Sequence, residues 1–246
     1  TAGVAWVGVR WSNHAGPASL YARMPLAAGM IGLYLAVGNA NHLPPWGGLD
    51  MLLSTNPIAA AIPAMEEPPV VLDMATTVAA YGKVKTKAQR GEAMPEGWMI
   101  DRQGRPLTDP ARAEEGFLLP IGGYKGYGLA LVFGLLAGTL NGAAMGKDVI
   151  DFNHDDVSPT NTGQAIVAID PAAFGDPDAF RRRVDAVIRD LRTSERMPGV
   201  ERIWLPGEQS LAKRIAHARD GIPLAAGLRQ GLDRLAAEIG IAPLGA

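Results

Sequence analysis

Residues 4–14 read VAWVGVRWSNH, and this stretch sets the pattern from which the fold can be predicted. Residues 4–9 form a short apolar run rich in valine, which is typical of a buried β-strand. The polar residues 12–14 then predict a loop at the end of that strand. Two later runs repeat the arrangement, because residues 30–37 precede the polar loop GNANH and residues 70–74 carry an acid near their end. The sequence therefore predicts a sheet with polar side chains collected at its strand ends.

The order of the remaining elements indicates the fold class. Further strands are predicted over 58–62 and 165–169, and helices over 20–28, 75–89, 129–144, 177–193, 210–219 and 224–239. These elements do not alternate regularly, as the units of a doubly wound parallel sheet would. We therefore predict an α+β fold, a sheet flanked by helices. We also predict one body over residues 1–246, with the helices at about 210–239 packed against it.

Composition excludes several classes of function. The 246 residues include no cysteine, which rules out disulfides, thiolate nucleophiles and cysteine metal sites. A net charge of −2 gives no electrostatic reason to expect nucleic acid or an anionic membrane as partner. The most apolar stretch, 129–144, is interrupted by glycines and favours a buried helix over a membrane span. We predict no metal site, and we expect a cytoplasmic protein.

The common nucleotide and hydrolase fingerprints are absent from the sequence. There is no G-x-G-x-x-G turn between a strand and a helix, no P-loop, no H-E-x-x-H and no G-x-S-x-G. Among the polar clusters that remain, His14 follows the first strand and is suited to acid–base work, because imidazole titrates near neutrality. The alternative, which the residues alone favour, is a loop histidine that bonds the backbone.

Three further clusters could bind a ligand. Asp73 ends an apolar strand, so it could bind ribose hydroxyls or cap a helix. Lys125 lies in the glycine-rich run 122–128 ahead of a helix, where backbone N–H groups could approach an anion; the alternative is a tight turn with a surface lysine. The turn at 205–209 could contact a ligand or solvent alone.

Seven stretches, taken together and in order, resemble the malate/L-lactate dehydrogenase family of the ureidoglycolate, sulfolactate and diketogulonate reductase type. This family is unrelated to the Rossmann lactate dehydrogenases. The matching stretches cover nearly the whole chain. They are RWSNH at 10–14, PWGG at 45–48, STNPI at 54–58, VLDMAT at 71–76, RGEAMPEGWMID at 90–101, GGYKGYGLAL at 122–131 and LPGE at 205–208.

The resemblance implies a sheet-based, non-Rossmann NAD(P)-binding domain, NADH or NADPH as cofactor, and usually a homodimer. It implies small 2-oxo acids, 2-hydroxy acids or cyclic imino acids as substrates, with His14 transferring the proton. The residues that it implies in cofactor binding are Asn39, Leu72, Asp73, Met74, Lys125, Gly207, Glu208 and Gln209. The sequence does not choose between NADH and NADPH, although Lys83, Lys85, Lys87 and Arg90 are near enough to the cofactor-binding motif in sequence to be candidates for a 2′-phosphate contact.

The resemblance also implies a segment that precedes the first strand in the family. That segment is helical and holds a Ser-His-Gly motif, which does not occur in this sequence. The segment could be lost by truncation, or a complementary N-terminal chain could supply it. A third hypothesis is self-cleavage that frees Thr1 as the nucleophile of an amidase-like hydrolase, with its α-amine as base. A non-enzymatic homologue with an inactive site is a further alternative.

Overall fold

A computed structural model describes residues 2–244 in two units, the first ending at Gly207 and the second beginning at Glu208. The strands of the first unit are β1 Val4–Ser12, β2 Ile31–Ala36, β3 Ile58–Ile62, β4 Val70–Met74, β5 Met99–Asp101, β6 Gly116–Leu118 and β7 Thr162–Ile169. Its α-helices are α1 Ala18–Ala22, α2 Tyr81–Arg90, α3 Tyr124–Ala137 and α4 Pro177–Thr193.

Five of the strands form one sheet in the order β1-β7-β2-β3-β4, and every neighbouring pair is antiparallel. The strand that comes last in the chain, β7, lies between β1 and β2. The short strands β5 and β6 form a separate antiparallel pair. An antiparallel sheet with helices around it is an α+β arrangement, which confirms the predicted fold class and excludes a Rossmann sheet.

The large sheet has a hydrophobic cluster on each face, because alternate residues of a strand point to opposite sides. On one face Tyr34 of β2 packs with Ala22 of α1. On the other face Leu35, the next residue, packs with Ala137 of α3. The close approach of α1 requires Gly32, where an added Cβ would lie 2.0 Å from the carbonyl oxygen of Ala22. The sheet is thus fixed between two helices.

Two predicted helices begin five or more residues from the expected position, and the structure shows a cause for each. The helix predicted over 75–89 begins at Tyr81. The reason is that Thr76 bonds the carbonyl oxygen of Thr55 through both its N–H and its hydroxyl. The helix predicted over 129–144 begins at Tyr124, directly after Gly123 in a left-handed conformation, and ends at Ala137. The strand β5, at Met99–Asp101, lies in a stretch where no strand is predicted.

The second unit contains two helices, α5 Glu208–Asp220 and α6 Ala226–Glu238. Within it, the Leu244 amide donates to Asp233 at 3.2 Å, and Arg229 donates to the Leu244 carbonyl oxygen at 3.2 Å. The prediction of a single body over residues 1–246 stays a prediction. None of the helices described between residues 2 and 244 has the length and apolar character needed to span a bilayer.

Candidate active site

A cavity of about 270 Å³ lies where β1 and β2 end. The loop 13–16 after β1 and the segment 36–40 at the end of β2 form two of its walls. The beginning of α2 and residues 152–153 close the other sides. The two polar strand ends recognised in the sequence therefore meet at one cavity, and both His14 and Asn39 line it.

The ring of His14 is held by its own loop. Its Nδ1 accepts a hydrogen bond from the Gly16 amide at 3.1 Å, and its backbone N–H donates to Asn13 Oδ1 at 2.7 Å. The ring centroid lies 6.4 Å from that of Phe152 across the cavity. An Nδ1 that accepts carries no proton, so the neutral ring is protonated on Nε2. The backbone contact expected of a loop histidine thus coexists with a position in the cavity wall.

Residues from two other strands hold the His14 loop at its base. Gln164 of β7 donates to Ser12 Oγ at 2.6 Å, and Thr162 donates to the Ser12 carbonyl oxygen at 3.0 Å. The buried side chain of Asn39 also donates to that carbonyl oxygen, at 3.3 Å. Asn39 therefore joins the ends of β1 and β2.

Asn56 holds the end of β2 in place. Its side chain is fully buried and its φ is 20°. Its Oδ1 accepts from the Gly38 amide at 3.2 Å, and its Nδ2 donates to the Ala130 carbonyl oxygen at 2.8 Å. Gly38 has no room for a side chain, because an added Cβ would lie 2.1 Å from Ser54 Oγ. This part of the cavity wall is therefore rigid.

A stacked pair of rings, His42 on Tyr81, lines both the first cavity and a second one of about 410 Å³. The ring centroids are 4.0 Å apart and the planes differ by 9°. Burial lowers the pKa of His42 to about 4; Lys85 and His154 act in the same direction and Asp151 opposes them. The His42 ring is therefore uncharged at neutral pH.

Lys85 stands one helical turn after Tyr81 and lines both cavities. Its Nζ donates to Asn153 Oδ1 at 2.7 Å and lies 5.6 Å from the centroid of the Tyr81 ring. No aspartate or glutamate is among the described residues that line the first cavity, and Lys85 is the one of them with a permanent charge. The first cavity is therefore suited to an anionic ligand.

Tyr34 of β2 supplies an aromatic wall of the first cavity. Its ring stacks on that of Tyr21 at 5.0 Å, and the Tyr21 hydroxyl donates to the Ala15 carbonyl oxygen at 3.1 Å. Burial, with smaller contributions from Tyr21 and Asp73, raises the pKa of Tyr34. The Tyr34 hydroxyl is thus protonated at neutral pH, and the two rings support the His14 loop from the side.

The strand end at Leu72, Asp73 and Met74 belongs to β4, the edge strand of the sheet. Asp73 Oδ2 accepts from the Ser19 amide at 2.9 Å, in the first turn of α1. The helix-capping alternative is therefore realised, although the helix comes from elsewhere in the chain. None of the three residues lines the first cavity.

The segment before Gly207 runs along the same edge. The Val71 amide donates to the Pro206 carbonyl oxygen at 3.0 Å, and Gly207 has a φ of 93°. An added Cβ at Gly207 would lie 2.9 Å from Val71 Cβ. The structure thus places Gly207 beside β4, whose residues 72–74 are predicted to bind the cofactor. The order of the motifs along the chain does not show that they are neighbours.

Four other predicted site residues remain, namely Lys125, Glu208, Gln209 and Thr1. Lys125 is exposed in the first turn of α3 and lines neither cavity. Glu208 and Gln209 begin α5 of the second unit. Thr1, the nucleophile of the hydrolase hypothesis, lies outside the described residues. Within residues 2–244 no cluster of three or more histidines and carboxylates that could hold a metal ion is found.

Sequence reasoning did not place His42, Tyr81 or Lys85 at this site. The local context of His42 is typical of a structural or surface residue, Tyr81 belongs to a predicted helix, and Lys85 is one of several candidates for a contact with a cofactor phosphate. One local signal was present, because Tyr81 and Lys85 are four residues apart and so share one helical face. The contact of His42 with Tyr81 spans 39 positions and has no local signature.

Comparison with known proteins gives a consistent result. The sequence model of the family described as Malate/L-lactate dehydrogenase matches residues 1–233. L-sulfolactate dehydrogenase of Methanothermobacter thermautotrophicus is 41% identical over 192 residues, which cover 78% of this chain and 55% of the relative. Ureidoglycolate dehydrogenase (NAD(+)) of Escherichia coli O157:H7 is 34% identical over 222 residues, covering 90% of this chain and 63% of the relative.

The fold of this chain is also similar to that of a solved reductase structure. Delta1-piperideine-2-carboxylate reductase from Pseudomonas syringae pvar. tomato superposes with a TM-score of 0.80 at 31% identity, covering 95% of this chain and 68% of that chain. The chain spans 55% and 63% of the length of the two curated relatives named above.

Proposed function

This chain belongs to the malate/L-lactate dehydrogenase family, and on that premise we propose that it is an NAD(P)-dependent oxidoreductase. Its substrate is a small 2-oxo acid, 2-hydroxy acid or cyclic imino acid. The names of the relatives support this range, since two are dehydrogenases of hydroxy acids and one is a reductase of a cyclic imino acid.

One observation supports the proposal most directly. The first cavity holds an acid–base side chain, His14, and a fixed cation, Lys85, with no carboxylate among its described lining residues. A 2-oxo acid needs both groups, because its carboxylate requires a cation and its carbonyl oxygen requires a proton. We assign the carboxylate to Lys85 and the carbonyl oxygen to His14.

The walls of the cavity also suit a nicotinamide ring. Tyr34, Pro57 and Phe152 offer apolar surfaces to a flat ring, and the amides of Asn13 and Gln164 could pair with a carboxamide. When bound, the nicotinamide cofactor supplies or accepts the hydride. We propose that Asn39, Leu72, Asp73, Met74, Lys125 and Gly207 contribute to its binding. The roles of Glu208 and Gln209 stay predictions of the family resemblance.

The geometry of His14 determines how its proton can move. With Nδ1 accepting from Gly16, the Nε2–H group is the donor available to a substrate oxygen. Complete transfer from the neutral ring would leave an imidazolate, so Nδ1 must also take up a proton, and the Gly16 hydrogen bond then breaks. Because the His14 side chain is exposed, solvent can deliver that proton. His14 therefore serves as a donor that solvent recharges.

The test is titration of the purified protein with NADH and with NADPH, followed by isothermal calorimetry and by cofactor fluorescence. We expect saturable binding of at least one of the two, and turnover of a 2-oxo, 2-hydroxy or imino acid in its presence. Absence of binding by both cofactors would overturn the proposal.

A further inference from the structure

The second cavity differs in chemistry from the first, although the two share a wall. Both are lined by His42, Tyr81, Lys85 and Asn153. The first has no described carboxylate in its lining, whereas Glu114 and Asp151 line the second. A ligand that reaches from one into the other therefore meets a cation first and two carboxylates beyond it.

The second cavity is rich in hydrogen-bond acceptors. Asn41 Oδ1 is buried there and has no hydrogen-bond partner, while Asn41 Nδ2 is satisfied by the Gly146 carbonyl oxygen at 2.8 Å. Glu114 is exposed, and none of the described residues forms an ion pair with it. A buried acceptor without a partner is unfavourable, so a donor on a ligand would satisfy it.

Three basic side chains, His42, Lys85 and His154, line the second cavity together with the carboxylates of Glu114 and Asp151. His42 is uncharged at neutral pH, because its pKa is lowered to about 4 mainly by burial. The amine of Lys85 donates to Asn153 at 2.7 Å, and the proposed function assigns its charge to the substrate carboxylate. Asp151 Oδ1 accepts from the Asn153 amide at 2.8 Å and from its side chain at 3.0 Å, which keeps the carboxylate in place.

We propose that the second cavity is a substrate subsite for a distal cationic group with N–H donors, a guanidinium or an ammonium. This inference rests on the proposed function and names the substrate class within it. The substrate is a 2-oxo or 2-hydroxy acid whose carboxylate faces Lys85 and whose far end faces Glu114, Asp151 and Asn41. A second acidic group at the far end is disfavoured, because the carboxylates would repel it.

Three 2-hydroxy acids of similar length test the subsite. They are 5-guanidino-2-hydroxypentanoate, 2-hydroxyadipate and 2-hydroxyheptanoate, whose distal ends are cationic, anionic and apolar. With the cofactor that the protein binds, we expect the highest kcat/KM for the guanidino compound and the lowest for the adipate. Equal values for the three, or a preference for the adipate, would overturn the inference.

The variant that isolates the subsite is Glu114→Gln, which removes one charge from an exposed side chain and leaves its size unchanged. We expect kcat/KM for the guanidino acid to fall about tenfold, with the value for 2-hydroxyheptanoate changed less than about twofold. Glu115→Gln is the matched control, because Glu115 is the next residue but pairs with Arg112 at 2.5 Å and lines neither cavity. An equal effect of both variants, or no effect of Glu114→Gln, would contradict the subsite.

The outcome also separates the two proposals. If none of a wider panel of hydroxy and oxo acids is turned over, the proposed function fails and the subsite with it. If the apolar acid is turned over without any preference for the cationic one, the proposed function stands and only the subsite is lost.

Discussion

In the proposed function, Lys85 is the residue on which the placement of substrate depends most. Lys85 lines both cavities. Among the described residues that line the first cavity, it is the one that carries a permanent charge. The sequence could present it only as one of several basic residues in a polar helix. Its contact with Asn153, 68 positions away, comes from the tertiary fold and has no local pattern.

Replacement of Lys85 by Met keeps the length of the side chain and removes its charge. We expect KM for a simple 2-oxo acid such as pyruvate to rise by about tenfold or more, because a charge-assisted contact with the carboxylate is lost. The dissociation constant of the cofactor should change little. Steady-state kinetics and cofactor titration measure the two quantities.

Two variants complete this test. Lys85→Arg should recover part of the loss, and Lys147→Met, at an exposed lysine outside both cavities, should leave KM unchanged. A large loss of cofactor affinity in Lys85→Met with KM for pyruvate unaltered would assign the lysine to the cofactor.

The lowered pKa of His42 predicts that the stability of the protein depends on pH. Its pKa is about 4 in the folded protein and about 6.5 when unfolded, so the unfolded state binds the proton more readily between these values. Stability therefore falls as pH drops from 6.5 towards 4. Between pH 7 and pH 5 we expect the free energy of unfolding of the unmodified protein to fall by about 2 kcal/mol more than that of the His42→Phe variant. The phenylalanine of this variant keeps the stacking on Tyr81.

Urea denaturation at the two pH values measures this difference. His217→Gln, in the second unit, is the control and should lose as much stability as the unmodified protein. Parallel losses in the unmodified protein and His42→Phe would refute the assignment of the pH effect to His42.

At the scale of elements, α2 decides the shape of the site. One side of it carries Tyr81 and Lys85 to the cavities, and Val84 on another side is 1% exposed in a cluster with Met99 and Leu118. Composition predicts the helix correctly but places its first residue six positions too early. The bonds of Thr76 to Thr55 hold the preceding segment in another conformation, and no single-sequence propensity contains that contact.

Truncation of Val84 tests whether this packing holds α2. Val84→Ala should lower the free energy of unfolding by about 2 kcal/mol, because two buried methyl groups are removed and a small cavity remains. Lys83→Ala, at the exposed neighbouring position, should cost less than about 0.5 kcal/mol. Urea denaturation at pH 7 compares the two, and equal losses would show that the cluster does not hold the helix.

At the scale of the whole molecule, the antiparallel sheet joins parts of the chain that are far apart in sequence. Because β7 enters between β1 and β2, Thr162 and Gln164 reach Ser12 about 150 positions away. The family resemblance predicted the fold class and placed His14 in a site. It did not predict that β7 supports the histidine, since strand order is not readable from one sequence.

We propose that the first cavity transfers a proton through His14 during hydride transfer. The most direct test is kcat for cofactor-dependent reduction of a 2-oxo acid by His14→Gln, with the cofactor dissociation constant measured in parallel. We predict that kcat falls by about 10²–10⁴-fold, the usual contribution of a general acid, while cofactor affinity stays within about twofold. A variant with undiminished kcat would contradict the account.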